Sequence, residues 1–209
     1  MFENRIDAGK KLGARLLKEK LKNVIVLAIP RGGVPVGFAV ARTLKAKLDI
    51  VVPRKLPIPS DPEAGFGAVI NNMVTLNGQI VSKFGLSKRE IGSVVREVRA
   101  EVKRRIKVYR GSKLFPSLKG KTVILVDDGL ASGYTMLAAV KWLKSKKAGK
   151  VIVAVPVSSS NAASLVRKEA ELICLQTSKS AVFAVADFYK EWRDLSDVEV
   201  INYLKMTKN

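Results

Sequence analysis

Two adjacent carboxylates, Asp127 and Asp128, close the apolar run Val123-Ile124-Leu125-Val126 and lead into a loop of mostly small residues, Gly129-Leu130-Ala131-Ser132-Gly133-Tyr134-Thr135. The chemistry this order offers is recognition of a phosphorylated sugar. Small residues opening a helix present free backbone N–H groups and hydroxyls to a phosphate, and glycine lets the backbone approach closely. Carboxylates beside that phosphate accept hydrogen bonds from a vicinal diol, so the expected ligand is a sugar phosphate with free hydroxyls, such as ribose 5-phosphate. An isolated Asp-Asp would read as a strand end leading to a helix cap; the whole thirteen-residue combination argues for a site. Two look-alikes fail. Gly129 to Thr135 lacks the Gly-Lys-Ser/Thr ending of a Walker A loop, and Pro30-Arg31-Gly32-Gly33-Val34-Pro35-Val36-Gly37 is not a Gly-x-Gly-x-x-Gly fingerprint.

Composition narrows what else the chain can do. Among 209 residues there is no histidine and one cysteine, Cys174. That excludes a Ser-His-Asp triad, a histidine metal site and an internal disulfide. A metal must then be held by oxygen, which favours Mg²⁺ or Mn²⁺. Cys174 lies in an apolar run and reads as core. The longest apolar runs fall far short of the roughly 20 residues that cross a bilayer, and the N-terminus has no apolar signal core. A soluble, cytoplasmic protein without a membrane partner is expected. The net charge, 38 − 18 = +20, suits an anionic partner or a solvated, heat-adapted surface.

The elements that must position the motif alternate. Val24–Ile29, Ile50–Val52, Val123–Val126, Val151–Val155 and Leu172–Leu175 are short, apolar and rich in β-branched residues, which suits strands buried on both faces of a parallel sheet. Helical stripes lie between, Val36-Val40-Leu44 and Met136-Val140-Leu143. The expectation is a doubly wound α/β domain with a mainly parallel five-stranded sheet and helices on both faces. About seventy residues between Val52 and Val123 break the rhythm. They open on an irregular, three-proline stretch, Pro53–Pro59, continue through β-like pieces Phe66–Ile70 and Met73–Leu76 turning at Asn71-Asn72, and end in a long helix. Ser87 and Glu90 have capping-box spacing. Ile91, Val95, Val98, Val102, Ile106 and Tyr109 then form an apolar stripe opposite Arg89, Arg96, Arg99, Lys103, Arg104 and Lys107. Ser196 and Glu199 mark a second capping box.

The 123–135 segment resembles the phosphoribosyl diphosphate (PRPP) motif of type I phosphoribosyltransferases: four apolar residues, two acidic ones and a small-residue loop. The resemblance spans nearly the whole chain as a single domain, 1–209. It implies that Asp127 and Asp128 are the catalytic pair, hold the ribose hydroxyls and organise Mg²⁺, in part through water. Ala131, Ser132, Gly133, Tyr134 and Thr135 would cradle the 5-phosphate. Arg31, Gly32 and Gly33 would bind pyrophosphate, with Arg54 or Lys55 assisting. Residues from about 56 to 110 correspond to a mobile active-site insert, and those from about 176 to 209 to a small C-terminal hood that recognises the base. The implied reaction displaces pyrophosphate from C1 of PRPP by a nucleobase-like acceptor, in a protein that pairs as a homodimer.

The acceptor stays open. Ala131 stands where oxopurine-using members carry an aspartate, as adenine- and uracil-type members allow. Yet Asp187 to Leu195 is similar to the hood end of oxopurine members, where Asp187 would meet a second Mg²⁺ and Arg193 the pyrophosphate; a structural pair on a surface turn is the plainer reading. Phe183, Phe188, Tyr189 and Trp192 either stack on a base or pack the hood. Two further functions compete: a regulator of this fold that contacts nucleic acid through the basic helix, and a PRPP-fold scaffold without turnover.

Overall fold

The computed structural model describes residues 1–71, 73–112, 114–180 and 182–207, with the backbone alone for Glu63. Contacts divide the chain into two compact units, one made of residues 1–51 and 114–209, the other of residues 52–113.

The first unit carries five parallel strands: β1 (Val24–Ala28), β2 (Lys47–Ile50), β6 (Thr122–Val126), β7 (Lys150–Ser159) and β8 (Glu171–Ser178), in the order β2-β1-β6-β7-β8. The strand order reverses between β1 and β6. From β1 the chain winds outward through α2 (Gly33–Leu44) to β2. From β6 it winds the other way through α5 (Tyr134–Ser145), β7 and α6 (Ser160–Arg167) to β8. Right-handed crossovers running in opposite directions put α2 and α5 on opposite faces of the sheet. One face packs Val26, Ile124, Val126, Ile152 and Ala154 against Val36 and Val40 of α2 and against Leu12 and Leu16 of α1 (Arg5–Leu17). The alternate residues Ile25, Leu27, Val123, Leu125 and Val153 are equally buried and point the other way. Each such aliphatic side chain contributes about 1.5–3 kcal/mol through burial, which makes the sheet a stiff platform for whatever its strand ends carry. The second strand differs in detail from expectation. It runs Lys47–Ile50, and the apolar Val51 and Val52 lie buried just beyond it.

The N-terminal segment pairs with residues 188–191. Phe2 bridges Tyr189 in parallel, and backbone N–H groups of Phe2, Lys190 and Glu191 donate to Phe188, Phe2 and Glu3. Beyond β8 come a 3₁₀ turn, Val185–Phe188, and α7 (Asp197–Met206), which starts in the expected Ser196–Glu199 capping box.

The second unit is a three-stranded antiparallel sheet, β3 (Pro53–Ile58), β4 (Asp61–Ile70) and β5 (Met73–Leu76), followed by α3 (Gly78–Lys83) and α4 (Lys88–Arg110). The three-proline stretch expected to be irregular is thus a strand over Pro53–Ile58. It is an edge strand, and its register shifts on both sides of Pro57. Edges and bulges are where a sheet tolerates a residue with no N–H to donate. Asn71 sits at φ +50; its neighbour in the expected turn, Asn72, lies outside the described residues. Helix α4 begins in the expected Ser87–Glu90 capping box and buries Val102 and Tyr109 of its apolar stripe. Among the described residues no helix is long and apolar enough to cross a membrane.

Candidate active site

In an open parallel sheet, ligands gather beyond the carboxyl ends of the strands where the order reverses. Here that point lies between β1 and β6. From β1 comes the turn Pro30-Arg31-Gly32-Gly33, whose first peptide is cis. The Gly33 N–H donates to the Ile29 carbonyl and the Val34 N–H to that of Arg31. From β6 comes the acidic pair. The two are in contact. A Cβ at residue 32 would stand 1.9 Å from Oδ2 of Asp128, and one at residue 33 would stand 2.9 Å from the Cα of Asp127. Only glycine lets these backbones meet, so the two motifs form one surface. The Arg31 side chain makes no hydrogen bond or ion pair among the described residues, which leaves its guanidinium available to an anion.

The small-residue loop lies on the other side of the pair. Gly133 takes φ +78 as the N-cap of α5, a left-handed conformation that glycine adopts without steric cost, and no side chain caps the helix. The first N–H groups of α5 therefore face outward, as phosphate recognition requires. The loop is braced from behind. Leu130 exchanges backbone hydrogen bonds with Val157 and Ser159 of β7, and the Ser159 hydroxyl donates to the Ala131 carbonyl while accepting from the Ala162 N–H. Asp127, Gly129, Leu130, Ala131, Ser132, Gly133, Thr135 and Met136 line a cavity of about 180 Å³ here. Tyr134 points out, two-thirds exposed.

The carboxylates are held differently from one another. Oδ1 of Asp127 accepts the Asp128 N–H at 2.9 Å. Loss of water around Asp127, and then the neighbouring Asp128 charge, push its carboxyl well above the ordinary carboxylate range. A cation placed between the two would relieve that repulsion. Oδ2 of Asp128 accepts Nε of Arg5 at 2.8 Å, and the Asp128 carbonyl accepts the Tyr189 hydroxyl at 2.6 Å. Burial, and then the Asp128 charge, raise the Tyr189 phenol well above its usual value, so it stays a donor. The two carboxyl groups also lie within hydrogen-bonding reach of one another, which adds to the rise at Asp127.

A phosphoribosyl transferase domain model matches residues 2–190. The chain belongs to this family. A Mycobacterium tuberculosis H37Rv protein provisionally named a phosphoribosyl transferase is 38% identical over 206 residues, which are 98% of this chain and 46% of that protein. The chain thus spans about half the length of the curated relatives it matches. The crystal structure of TT1426 from Thermus thermophilus superposes with a TM-score of 0.86 at 32% identity, covering 98% of this chain and 97% of that one. A purine phosphoribosyltransferase from Pyrococcus horikoshii shares the fold, with a TM-score of 0.52 at 13% identity over 92% and 93% of the two chains. The five-stranded parallel sheet is that of the type I phosphoribosyltransferases.

Within this phosphoribosyl transferase domain the remaining expected residues fall in three places. Asp187 is exposed on the 3₁₀ turn. Arg193 is also exposed; its guanidinium pairs with Glu199 of α7 and holds that carboxyl down to about 2, while its carbonyl faces Arg5. Arg54 and Lys55 belong to the second unit, exposed on β3 opposite Val69 and Ala68. The aromatics of the segment after β8 pack on one another, Phe183 against Phe188 at 5.4 Å between ring centroids and Tyr189 against Trp192 at 5.2 Å. Half-buried Cys174 donates to the Gln176 carbonyl, and burial pushes its thiol up, away from nucleophilic use.

Sequence reasoning missed Arg5 and the Tyr189 hydroxyl. A faint signal for the first existed: Asn4 is an N-cap residue, followed by the small and apolar set Ala8, Gly9, Leu12, Gly13 and Leu16, the buried face of α1. That pattern finds the helix, but nothing in it points to Asp128.

Proposed function

We propose that this chain binds PRPP and transfers its 5-phosphoribosyl group to a ring nitrogen of a nucleobase-like acceptor. The bond from C1 to the pyrophosphate oxygen breaks, a C1–N bond forms, and the acceptor's N–H proton passes to solvent. The observation that carries this reading is the contact of Gly32 with the Asp128 carboxylate beside the uncapped N-terminus of α5. It brings the Arg31 turn, two carboxylates and the uncapped α5 terminus onto one surface, an order that suits the pyrophosphate, ribose hydroxyls and 5-phosphate of PRPP.

In this reading the α5 N–H groups and the hydroxyls of Ser132 and Thr135 bind the 5-phosphate. Asp127 and Asp128 accept the ribose hydroxyls, and the Arg31 turn takes the pyrophosphate and the charge that builds there. Arg54, Lys55, Arg193 and Asp187 are assigned supporting parts toward pyrophosphate and metal by the same resemblance. The donor set fits Mg²⁺. No group of three candidate side-chain ligands exists among the described residues, and Mg²⁺ is commonly held by one or two carboxylates with substrate phosphates and water completing its shell. When bound, Mg²⁺ supplies neutralisation of the pyrophosphate leaving group.

The test is a thermal-shift titration with Mg²⁺–PRPP, followed by PRPP with a nucleobase panel read by mass spectrometry for pyrophosphate and nucleotide. A clear rise in melting temperature with Mg²⁺–PRPP is expected; no shift at millimolar ligand overturns the reading. Sedimentation tests the homodimer, and fractionation the cytoplasmic setting, that belong to the same proposal.

A second reading rests on α4, whose exposed face carries Lys88, Arg89, Arg96, Arg99, Lys103, Arg104 and Lys107. Such a face suits nucleic acid, as in a regulator that binds without turnover. Steeply salt-dependent RNA binding in a protein that releases no pyrophosphate would favour it.

A further inference from the structure

Arg5 is nearly buried, at 8% exposure. A guanidinium withdrawn from water costs several kcal/mol unless its donors and charge are matched. Here they are matched three ways. Nε donates to Oδ2 of Asp128 at 2.8 Å, Nη1 donates to the Arg193 carbonyl at 2.9 Å, and the planar group lies over the Trp192 ring, 3.7 Å from its centroid. Trp192 in turn packs on Tyr189, whose hydroxyl holds the Asp128 carbonyl. The backbone of Gly32 closes the same oxygen from the β1 side.

Asp128 is therefore gripped at Oδ2 by the first residue of α1, at its carbonyl by Tyr189, and against the turn that follows β1. The Arg5 pair and the Gly32 turn fix the side chain, and the Tyr189 bond fixes the backbone that carries it. A free aspartate at a strand end could offer either oxygen, or both, and would lose rotamer freedom on binding; this one is set beforehand. We propose that Arg5 is a positioning residue for the donor site. It occupies Oδ2 of Asp128, so fixing how that carboxyl meets the ribose hydroxyls, and links that geometry through Trp192 and the Arg193 carbonyl to the C-terminal segment. This rests on the PRPP reading above.

The experiment is isothermal titration of Mg²⁺–PRPP into wild type, Arg5→Lys and Arg5→Met, with the ligand-free melting temperature recorded for each. Arg5→Met should weaken binding on the order of tenfold or more, the scale seen when groups that orient ligating carboxylates are removed. Arg5→Lys keeps the charge but cannot pair with Asp128, reach the carbonyl and lie on the ring together, and should recover only part of the loss. If Arg5→Met does not fold, Arg5→Lys and Trp192→Leu decide in its place. A Kd within twofold of wild type in the folded variants overturns the assignment.

A prop for the fold is told apart by repeating Arg5→Met on an Asp128→Asn background. The amide there leaves no carboxylate to orient, and the weakened binding is followed at raised ligand concentration. Less than a twofold further loss is expected; a tenfold loss there too would make Arg5 a general brace and overturn the positioning role. Failure of wild type to bind Mg²⁺–PRPP is a different result, which removes the donor reading and this inference with it.

Discussion

The two sides of the candidate site are built in opposite ways. The loop side is contiguous: Gly129 to Thr135 make it, and the groups it offers are backbone N–H groups and hydroxyls of that same stretch, with β7 only bracing from behind. The carboxylate side is collected from across the chain. Asp128 is held by Arg5, 123 positions away, by the Tyr189 hydroxyl, 61 positions away, and by the backbone of Gly32. A loop that carries its own donors needs only a strand before it and a helix after it. A carboxylate that must be held at one particular oxygen needs partners whose positions the whole fold decides.

The strongest way to break that contrast is to remove the carboxylates. Asp127→Asn with Asp128→Asn should abolish the thermal shift with Mg²⁺–PRPP while circular dichroism shows the fold retained. Unchanged PRPP affinity would mean that the contiguous loop alone makes the site. Next in size is Gly32→Ala. A methyl 1.9 Å from Oδ2 of Asp128 must displace either the turn or the carboxylate, so overpacking should cost about 1–3 kcal/mol in a denaturant titration and separate the two motifs. Affinity for PRPP should fall further than stability does.

Gly133→Ala tests the other side. Holding alanine at φ +78 costs roughly 1–2 kcal/mol and would turn the first N–H groups of α5 away. Weaker binding of ribose 5-phosphate by titration is expected, with the Arg5–Asp128 pair unaffected. Tyr189→Phe removes one hydrogen bond from the Asp128 carbonyl and should destabilise by about 0.5–1.5 kcal/mol, measured by chemical unfolding, with a smaller loss of affinity than Arg5→Met. The smallest effect lies farthest from both sides. Arg193 and the Ser196 groups hold Glu199 down to about 2. A carboxyl lowered in the folded state contributes stability in full above its ordinary value, and that contribution is lost as pH falls toward 2. Wild type should therefore lose its advantage over Glu199→Gln between about pH 4.5 and 2, read as converging melting temperatures.

Legibility followed the same line. The five parallel strands, the alternating helices, both capping boxes and the long amphipathic helix are all visible in local apolar period and cap chemistry, because each depends on residues three or four positions apart or on one short run. The edge strand Pro53–Ile58 was not. Proline reads locally as a breaker, and only its place at a sheet edge, where its missing N–H faces no partner strand, makes a strand possible. Asp127, Asp128 and the loop stood out as a motif in one segment, and the Arg31 turn only through the family resemblance. Arg5 did not, since a single arginine after an ordinary N-cap carries no sign of a partner more than a hundred residues on.

The amino-acid order by itself determined the parallel sheet, the alternating helices and the acidic pair with its small-residue loop, all through interactions within a few residues along the chain. Tertiary structure alone decided which oxygen of Asp128 is held by Arg5 and that Gly32 must be glycine. It also decided that Arg5 and Tyr189 meet on the same residue, Asp128, one at its carboxylate and one at its carbonyl. Those are contacts between segments far apart in sequence, and they exist only once strand order, helix packing and the segment after β8 have brought them within hydrogen-bonding distance.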